Sequence, residues 1–175
     1  MGGSITARGR ALTLALLTLT YFFSFMDRQI LAILLEPIKA DLKLSDTQLG
    51  LLSGLVFAIF YATLGIPVAR FADRANRRNI VAISLALWSG ATAACGMAQS
   101  FVQLMLARIG VGVGEAGSGP PSHSIIADLY PPEKRASAMA IYSLGVLLGG
   151  GLVVAIGGVV ARAHGWRAAM MVVGL

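Results

Sequence analysis

The sequence is short of nearly everything that chemistry in water relies on. Its single cysteine, Cys95, sits mid-way along an uncharged run, so no disulfide can form within the chain. Its two histidines, His123 and His164, belong to no Cys/His cluster, which leaves a metal site without ligands and a nucleophile without a base. No metal, no cofactor and no catalytic residue is therefore expected. Charged residues make up only 13% of the 175, against about 25% in soluble domains. The net charge of +6 is spread along the chain rather than gathered on one face, which argues against nucleic acid as a partner. No polar segment is long enough for a soluble domain. What the chain has in quantity is apolar residues, 57% of it, in runs long enough to cross a hydrocarbon layer of ~30 Å. The expected class is an all-α transmembrane protein with the lipid bilayer as its solvent.

The charged residues divide these runs. Arg8 and Arg10 precede an apolar run over residues 11–26, and no small-residue cleavage site follows it, as a secretory signal would require. Asp27-Arg28 and further apolar residues continue to Leu35, so one helix over 11–35 is expected, long enough to span with tilt. Thr13, Thr20, Ser24 and Asp27 recur at helical spacing as a polar stripe. Asp27 and Arg28 are adjacent, point about 100° apart and cannot pair with each other, so at least one needs a partner from another helix. Residues 36–44 read as a polar linker. Ser45-Asp-Thr-Gln48 is a capping box that opens a second helix over 46–69. A basic loop leads to a third span over 78–98, Gln99-Ser100 marks a tight turn, and a fourth span covers 101–126. A polar loop leads to a glycine-rich fifth span over 135–161, where Gly145 and Gly149 have the spacing of close helix contacts. Residues 162–167 read as a turn with an interfacial tryptophan. A sixth span begins at about 167 and is unfinished at 175, as expected of a truncated chain or of one piece of a longer one.

One stretch resists a purely apolar explanation: Arg108-Ile-Gly-Val-Gly-Val-Gly-Glu115-Ala-Gly-Ser. Seven residues are about two helical turns, so Arg108 and Glu115 share a face at roughly 10 Å along the axis. Gly112 lies between them on that face, and Ser118 and Ser122 continue it. A charge in hydrocarbon costs at least ~2.5–3.5 kcal/mol, so such residues face a bundle interior or a wet cavity. The pattern points to a substrate or ion path; the alternative is a structural ion pair between packed helices. Gly112-Val-Gly114-Glu-Ala-Gly117 also matches the dinucleotide pattern GxGxxG, but Pro120-Pro121 stand where that motif needs a helix to begin, and both flanks are apolar helix. Gly110, Gly114 and Ser118 instead follow the small-xxx-small spacing of membrane helix contacts.

The basic residues set an orientation. Arg8, Arg10, Arg70, Arg74, Arg77, Arg78, Lys134 and Arg135 fall on the side of the amino terminus, against Lys39, Lys43, Arg162 and Arg167 on the other. That asymmetry predicts a cytoplasmic amino terminus. A weak internal repeat is also present: the second and fifth spans, and the third and sixth, begin 88 residues apart, and the same offset carries Asp27 onto Glu115. Two triples of spans, three being odd, must be inverted relative to each other. Transporters are commonly built this way, with sites at the repeat interface near the midplane.

The loop Ala69-Arg-Phe-Ala-Asp73-Arg74-Ala-Asn76-Arg77-Arg78 resembles the major facilitator superfamily signature G-x-x-x-D-R-x-G-R-R, with Ala69 and Asn76 in place of its glycines. Asn76 is expected to take a left-handed backbone there. Arg108-x-x-x-Gly112 and Ala-Asp128-Leu-Tyr-Pro-Pro-Glu-Lys-Arg135 fit the same family. With Met26-Asp27-Arg28 and Gly114-Glu115-Ala116, the chain is similar to bacterial members of the Spinster branch. The resemblance implies the first six of twelve helices, with the missing carboxyl-terminal half as partner. It also implies an inner-membrane secondary transporter, coupled to protons and carrying amphiphilic molecules such as lysophospholipids or sphingosine-phosphate-like lipids by alternating access. Asp27 and Glu115 are the candidate proton carriers, because burial and a nearby arginine act oppositely on a carboxyl's proton affinity. Arg28 or Arg108 is the candidate for an anionic headgroup or counter-ion. Asp73, Arg74, Arg77 and Arg78 are the candidate cytoplasmic gate, the alternative being a determinant of topology alone.

Overall fold

The computed structural model describes residues 6–72 and 75–174 and is helical almost throughout. The elements are α1 (Ala7–Leu42), α2 (Asp46–Gly50), a π-helical segment (Leu51–Leu55), α3 (Val56–Ala72), α4 (Arg77–Met97), α5 (Phe101–Ala116), α6 (Gly119–Leu129) and α7 (Pro132–Gly174). Among the described residues four helical stretches are long and apolar enough to cross a membrane: Ala7–Leu42, Asp46–Val68, Arg77–Met97 and Pro132–Gly174. Large side chains such as Leu12, Ile83 and Leu147 are more than half exposed, a surface that water would not tolerate in such quantity.

The expected polar linker over 36–44 is mostly helix. α1 runs on through Pro37 to Leu42 and ends where Lys43 turns left-handed at φ 52°. The reason is a core stripe, Ile30, Leu31, Leu34 and Ile38, that continues the 3–4 spacing past the expected boundary. The Ser45 capping box forms in both directions, Gln48 N–H to Ser45 Oγ at 3.2 Å and Ser45 N–H to Gln48 Oε1 at 2.9 Å. Asn76 is not left-handed: it sits at φ −71°, ψ 104° as the N-cap of α4, its Oδ1 accepting from the Arg78 and Asn79 amides. A side-chain acceptor at that position satisfies an otherwise unbonded helix amide, which a glycine cannot do.

The fourth span, expected as one helix, breaks at Gly117-Ser118. Pro120 and Pro121 carry no amide hydrogen, so the carbonyls of Ala116 and Gly117 lose their helical donors, and the prolines fit the first turn of α6 instead. In α7 the expected turn shrinks to one residue, Gly165, at φ 83° and ψ 168°. That conformation is open to glycine and strained for nearly any other residue.

The helices pair as inverted triples require: α1 lies along the first part of α7, α3 along α5, and α4 along the end of α7. Glycines set these approaches and that of α4 to α5. A Cβ on Gly145 would lie 2.7 Å from the Thr18 carbonyl oxygen, and one on Gly114 would lie 2.7 Å from the Trp88 nitrogen. Gly110 faces Ala91 and Gly96 faces the Arg167 carbonyl in the same way. Without a hydrophobic drive between helices in lipid, this backbone-to-backbone contact is what holds them.

Candidate functional site

Four of the residues singled out by charge lie around the meeting point of α1, α3 and α5. Asp27 and Glu115 are each 1% exposed and Arg108 is 2% exposed. Glu115 meets α1 through side chains, while Gly112 and Gly114 just before it let α5 close against α3 and α4. Arg28 Nε donates to Glu115 Oε2 at 2.5 Å, and Ser24 Oγ donates to the same oxygen at 3.1 Å. The interhelical partner that the adjacent Asp27 and Arg28 require is thus found, by Arg28. Arg108 and Glu115 share a buried face as expected, yet no ion pair joins them among the described residues; the counter-charge of Glu115 comes from α1.

The arrangement is incompletely bonded. Asp27 Oδ1, Arg108 Nε and Glu115 Oε1 are buried and find no hydrogen-bond partner among the described residues, and the same holds for Thr92 Oγ1 and Trp88 Nε1 on α4. Orphaned buried polar atoms are rare and costly in finished structures. The side chain of Arg28, by contrast, is 33% exposed while Glu115 is sealed. One partner of the pair therefore faces open space. Beside Tyr61 a cavity of about 430 Å³ opens between α3 and the break in the fourth span, walled by Ala62, Gly65, Ile66, Ala116 and Pro120, with Arg70 also on its lining.

Aromatic residues supply contacts that the sequence reading missed. The Arg28 guanidinium carbon lies 4.8 Å from the Tyr61 ring centre and 5.0 Å from that of Phe57, and Arg108 lies 5.4 Å from Phe57. In an uncharged span these rings read as apolar filling; only their i, i+4 spacing hinted at a shared face. The polar stripe of α1 divides: Ser24 and Asp27 enter the buried centre, whereas the Thr13 and Thr20 hydroxyls bond back to the Gly9 and Leu16 carbonyls of their own helix. Ser118 and Ser122 are buried, but their hydroxyls also serve the local backbone, bonding the carbonyls of Glu115 and Ser118. His123 meets the Tyr142 ring edge-on while staying exposed.

Of the candidate gate, Asp73 and Arg74 lie outside the described residues. Arg77 forms an ion pair with Asp128 at the end of α6, and Arg78 is exposed. At the other end of the bundle Asp41 accepts from Arg167 at 2.5 Å and from Trp166 Nε1 at 3.2 Å.

Residues 17–175 match the family model of the major facilitator superfamily. The chain belongs to the major facilitator superfamily. Its fold is similar to the crystal structure of a bacterial homologue of the human lysosomal transporter Spinster in an inward-facing, unoccupied conformation. The TM-score is 0.88 at 39% identity, over 97% of this chain and 41% of that one. An MFS-type efflux pump of Mycolicibacterium smegmatis is 40% identical over 158 residues, covering 90% of this chain and 37% of the pump. A sphingosine-1-phosphate transporter of Danio rerio is 31% identical over 156 residues, covering 85% and 30%. The chain thus spans about two fifths or less of these relatives' length, and the family and its Spinster relatives are transporters rather than enzymes.

Proposed function

We propose that this chain is the amino-terminal six-helix bundle of a proton-coupled secondary transporter that moves an amphiphilic, lipid-like molecule by alternating access. The observation that carries this reading is the asymmetry of the central pair. Glu115 is sealed in the protein with one oxygen held by Arg28 and Ser24 and the other unbonded, while Arg28 reaches open space. A sealed carboxylate with a free oxygen can take a proton; once neutral, it releases much of its hold on the guanidinium, because the charge-assisted bond becomes an ordinary one. Arg28 is then available to an anionic headgroup. Proton binding at Glu115 and anion binding at Arg28 are linked in this way, with Asp27 as the second proton carrier and Arg108 as the buried counter-ion.

Likeness to Spinster and to a sphingosine-1-phosphate transporter supports a substrate with an anionic head and an apolar body. Likeness to an efflux pump favours a second reading, export of other small organic molecules through the same coupling site. The excess of arginine and lysine on the amino-terminal side supports an inner-membrane location with a cytoplasmic amino terminus. In that orientation Arg77 and Asp128, with Asp73, Arg74 and Arg78, form the cytoplasmic gate.

The test is flux in proteoliposomes made with the full-length protein. An imposed proton gradient drives accumulation of a lysophospholipid in wild type; Glu115→Gln loses the accumulation and keeps gradient-free exchange. Accumulation undiminished in Glu115→Gln removes the coupling role. Gradient-driven flux of an organic cation or drug, with none of lysophospholipid, selects the second reading.

A further inference from the structure

The sequence presents the second span as a plain apolar helix, uncharged from Thr47 to Ala69. Its packing is less plain. Gly112 of α5, between the two charges, carries no side chain, and a Cβ there would meet the Phe57 carbonyl oxygen at 3.2 Å and the Phe57 ring at 3.5 Å. The missing Cβ brings α3 close enough to put the Phe57 ring within reach of both Arg28 and Arg108. Tyr61 follows one turn later, and the two rings lie nearly parallel, 18° apart with centres 5.6 Å apart. They form one aromatic surface, and the Arg28 guanidinium lies over both halves of it while its Nε stays on Glu115. The π-helical segment Leu51–Leu55 ends at the residue before α3 begins. Its extra residue per turn advances the face that follows, the usual effect of such segments near functional sites.

A purely apolar filling of this space has no need of rings: leucine and isoleucine pack as well and occur throughout the span. What rings add is an electron-rich face for a cation in a place where water is scarce. We propose that Phe57 and Tyr61 are positioning residues that hold the Arg28 guanidinium against Glu115, so that the second span belongs to the central charge site. The proposal rests on the central charges being the working site of the transporter. It deepens that reading by naming what keeps Arg28 in place as Glu115 gains and loses its charge. Arg28 has neighbours of two kinds: a carboxylate that can be switched off, and two ring faces that cannot. When the carboxylate is neutral the rings keep the guanidinium in the site, facing the open space.

The experiment uses full-length protein in detergent and reads the rate at which phenylglyoxal, an arginine-selective reagent, modifies Arg28, followed by mass spectrometry of the peptide. Position 57 carries phenylalanine with one, two or three ring fluorines. These drain the ring face of electron density with little change in size, so folding and packing are retained. The expected result is a stepwise rise in modification rate, reaching about fivefold for the trifluorinated ring. Tyr61→Leu modifies faster than Tyr61→Phe, which keeps the ring. A flat fluorine series, or equal rates for Tyr61→Leu and Tyr61→Phe, overturns the proposal, because packing alone predicts both. Failure of the transport reading appears elsewhere, as proton-driven flux that Glu115→Gln leaves intact, and does not alter these rates.

Discussion

Asp27 and Glu115 stand 88 residues apart, at matching places in the first and second triples of helices, and the fold treats them differently. Glu115 has an arginine and a serine on one oxygen and, among the described residues, nothing on the other; Asp27 Oδ1 likewise has no partner there, and no arginine bonds Asp27. Both are sealed from solvent. The difference comes from what α1 offers. Its Ser24 and Arg28 lie one turn apart and point together at α5, and Asp27 beside them is turned by 100° into a different neighbourhood. An inverted repeat therefore supplies two equally buried carboxylates and, among the described residues, an ion pair to only one of them. One carboxylate is bonded to an arginine and a serine of α1; the other has an oxygen with no partner among the described residues.

Removing Arg28 gives the largest expected effect on this comparison. Arg28→Ala leaves Glu115 sealed without its contacting counter-charge, a loss that commonly costs ~3–5 kcal/mol. Adding Glu115→Gln to that variant restores most of the stability, since no stranded charge remains. Arg108→Ala breaks no ion pair among the described residues and costs less. Thermal unfolding of the variants in detergent checks the order; Arg108→Ala falling below Arg28→Ala would mean that the counter-charge of Glu115 is Arg108 after all.

Neutralising the two carboxylates comes next and separates them. Glu115→Gln and Asp27→Asn are both expected to abolish proton-driven accumulation while leaving exchange, because an amide mimics the protonated acid. Their stabilities differ in sign. Asp27→Asn removes a buried carboxylate oxygen that has no partner and is neutral or stabilising by up to ~1–3 kcal/mol, whereas Glu115→Gln weakens the hold on Arg28 and is destabilising. Equal losses of stability would erase the distinction between the carboxylates drawn from their hydrogen bonds.

A third effect tests the walls rather than the charges. Gly114→Ala sets a methyl 2.7 Å from the Trp88 nitrogen and forces α4 and α5 apart, at ~1–3 kcal/mol. Gly90→Ala on the open face of α4 meets nothing within 4 Å and costs nothing, or gains the few tenths that alanine brings to a helix. Similar unfolding temperatures for the two would show that the close approach at Gly114 does not hold the bundle together.

Much of this was legible from residue order. Charge-free runs of membrane length, the capping box at Ser45 and the glycine pairs Gly145/Gly149 and Gly110/Gly114 each follow from a local rule, and each reappears in the helices. The mid-span charges were legible as a group because hydrocarbon makes any charge conspicuous. Their pairing was not. Arg108 and Glu115 are neighbours in sequence and share a helix face, so local spacing joined them, while the contact that forms is Arg28 with Glu115, 87 residues apart. Phe57, Tyr61, Trp88 and Thr92 were missed for the opposite reason: in an apolar span a ring or a lone hydroxyl gives no signal until another helix is laid against it. Asn76 shows a local rule chosen wrongly. Replacing a glycine suggested a left-handed turn, and the side chain's own capacity to cap a helix decided the matter.

The smallest expected effect compares the two ends of the bundle. Arg77 of α4 pairs with Asp128 of α6 on the amino-terminal side; Asp41 of α1 pairs with Arg167 of α7 on the other. Each pair joins the end of the first helix in a triple to the start of the third helix in a triple, so the two are near-images under the inverted repeat. They are not equally reinforced. Arg167 also donates to the Ala98 carbonyl at 3.1 Å and lies over the Trp166 ring at 4.3 Å, and Trp166 itself donates to Asp41. Arg77 has only Asp128 among the described residues. Surface ion pairs contribute little to global stability, so neither Asp41→Asn nor Asp128→Asn is expected to move the unfolding temperature measurably. Local opening is a finer probe, because helix ends open at far lower free energy than the core. Amide exchange in Asp128→Asn should quicken over residues 76–80, where the start of α4 loses its tie. In Asp41→Asn, exchange over 166–170 should stay near wild type, since the Ala98 bond and the ring contact persist. Quickening at 166–170 with none at 76–80 would reverse the ranking of the two clasps and show that the carboxylate, not the surrounding contacts, fixes Arg167.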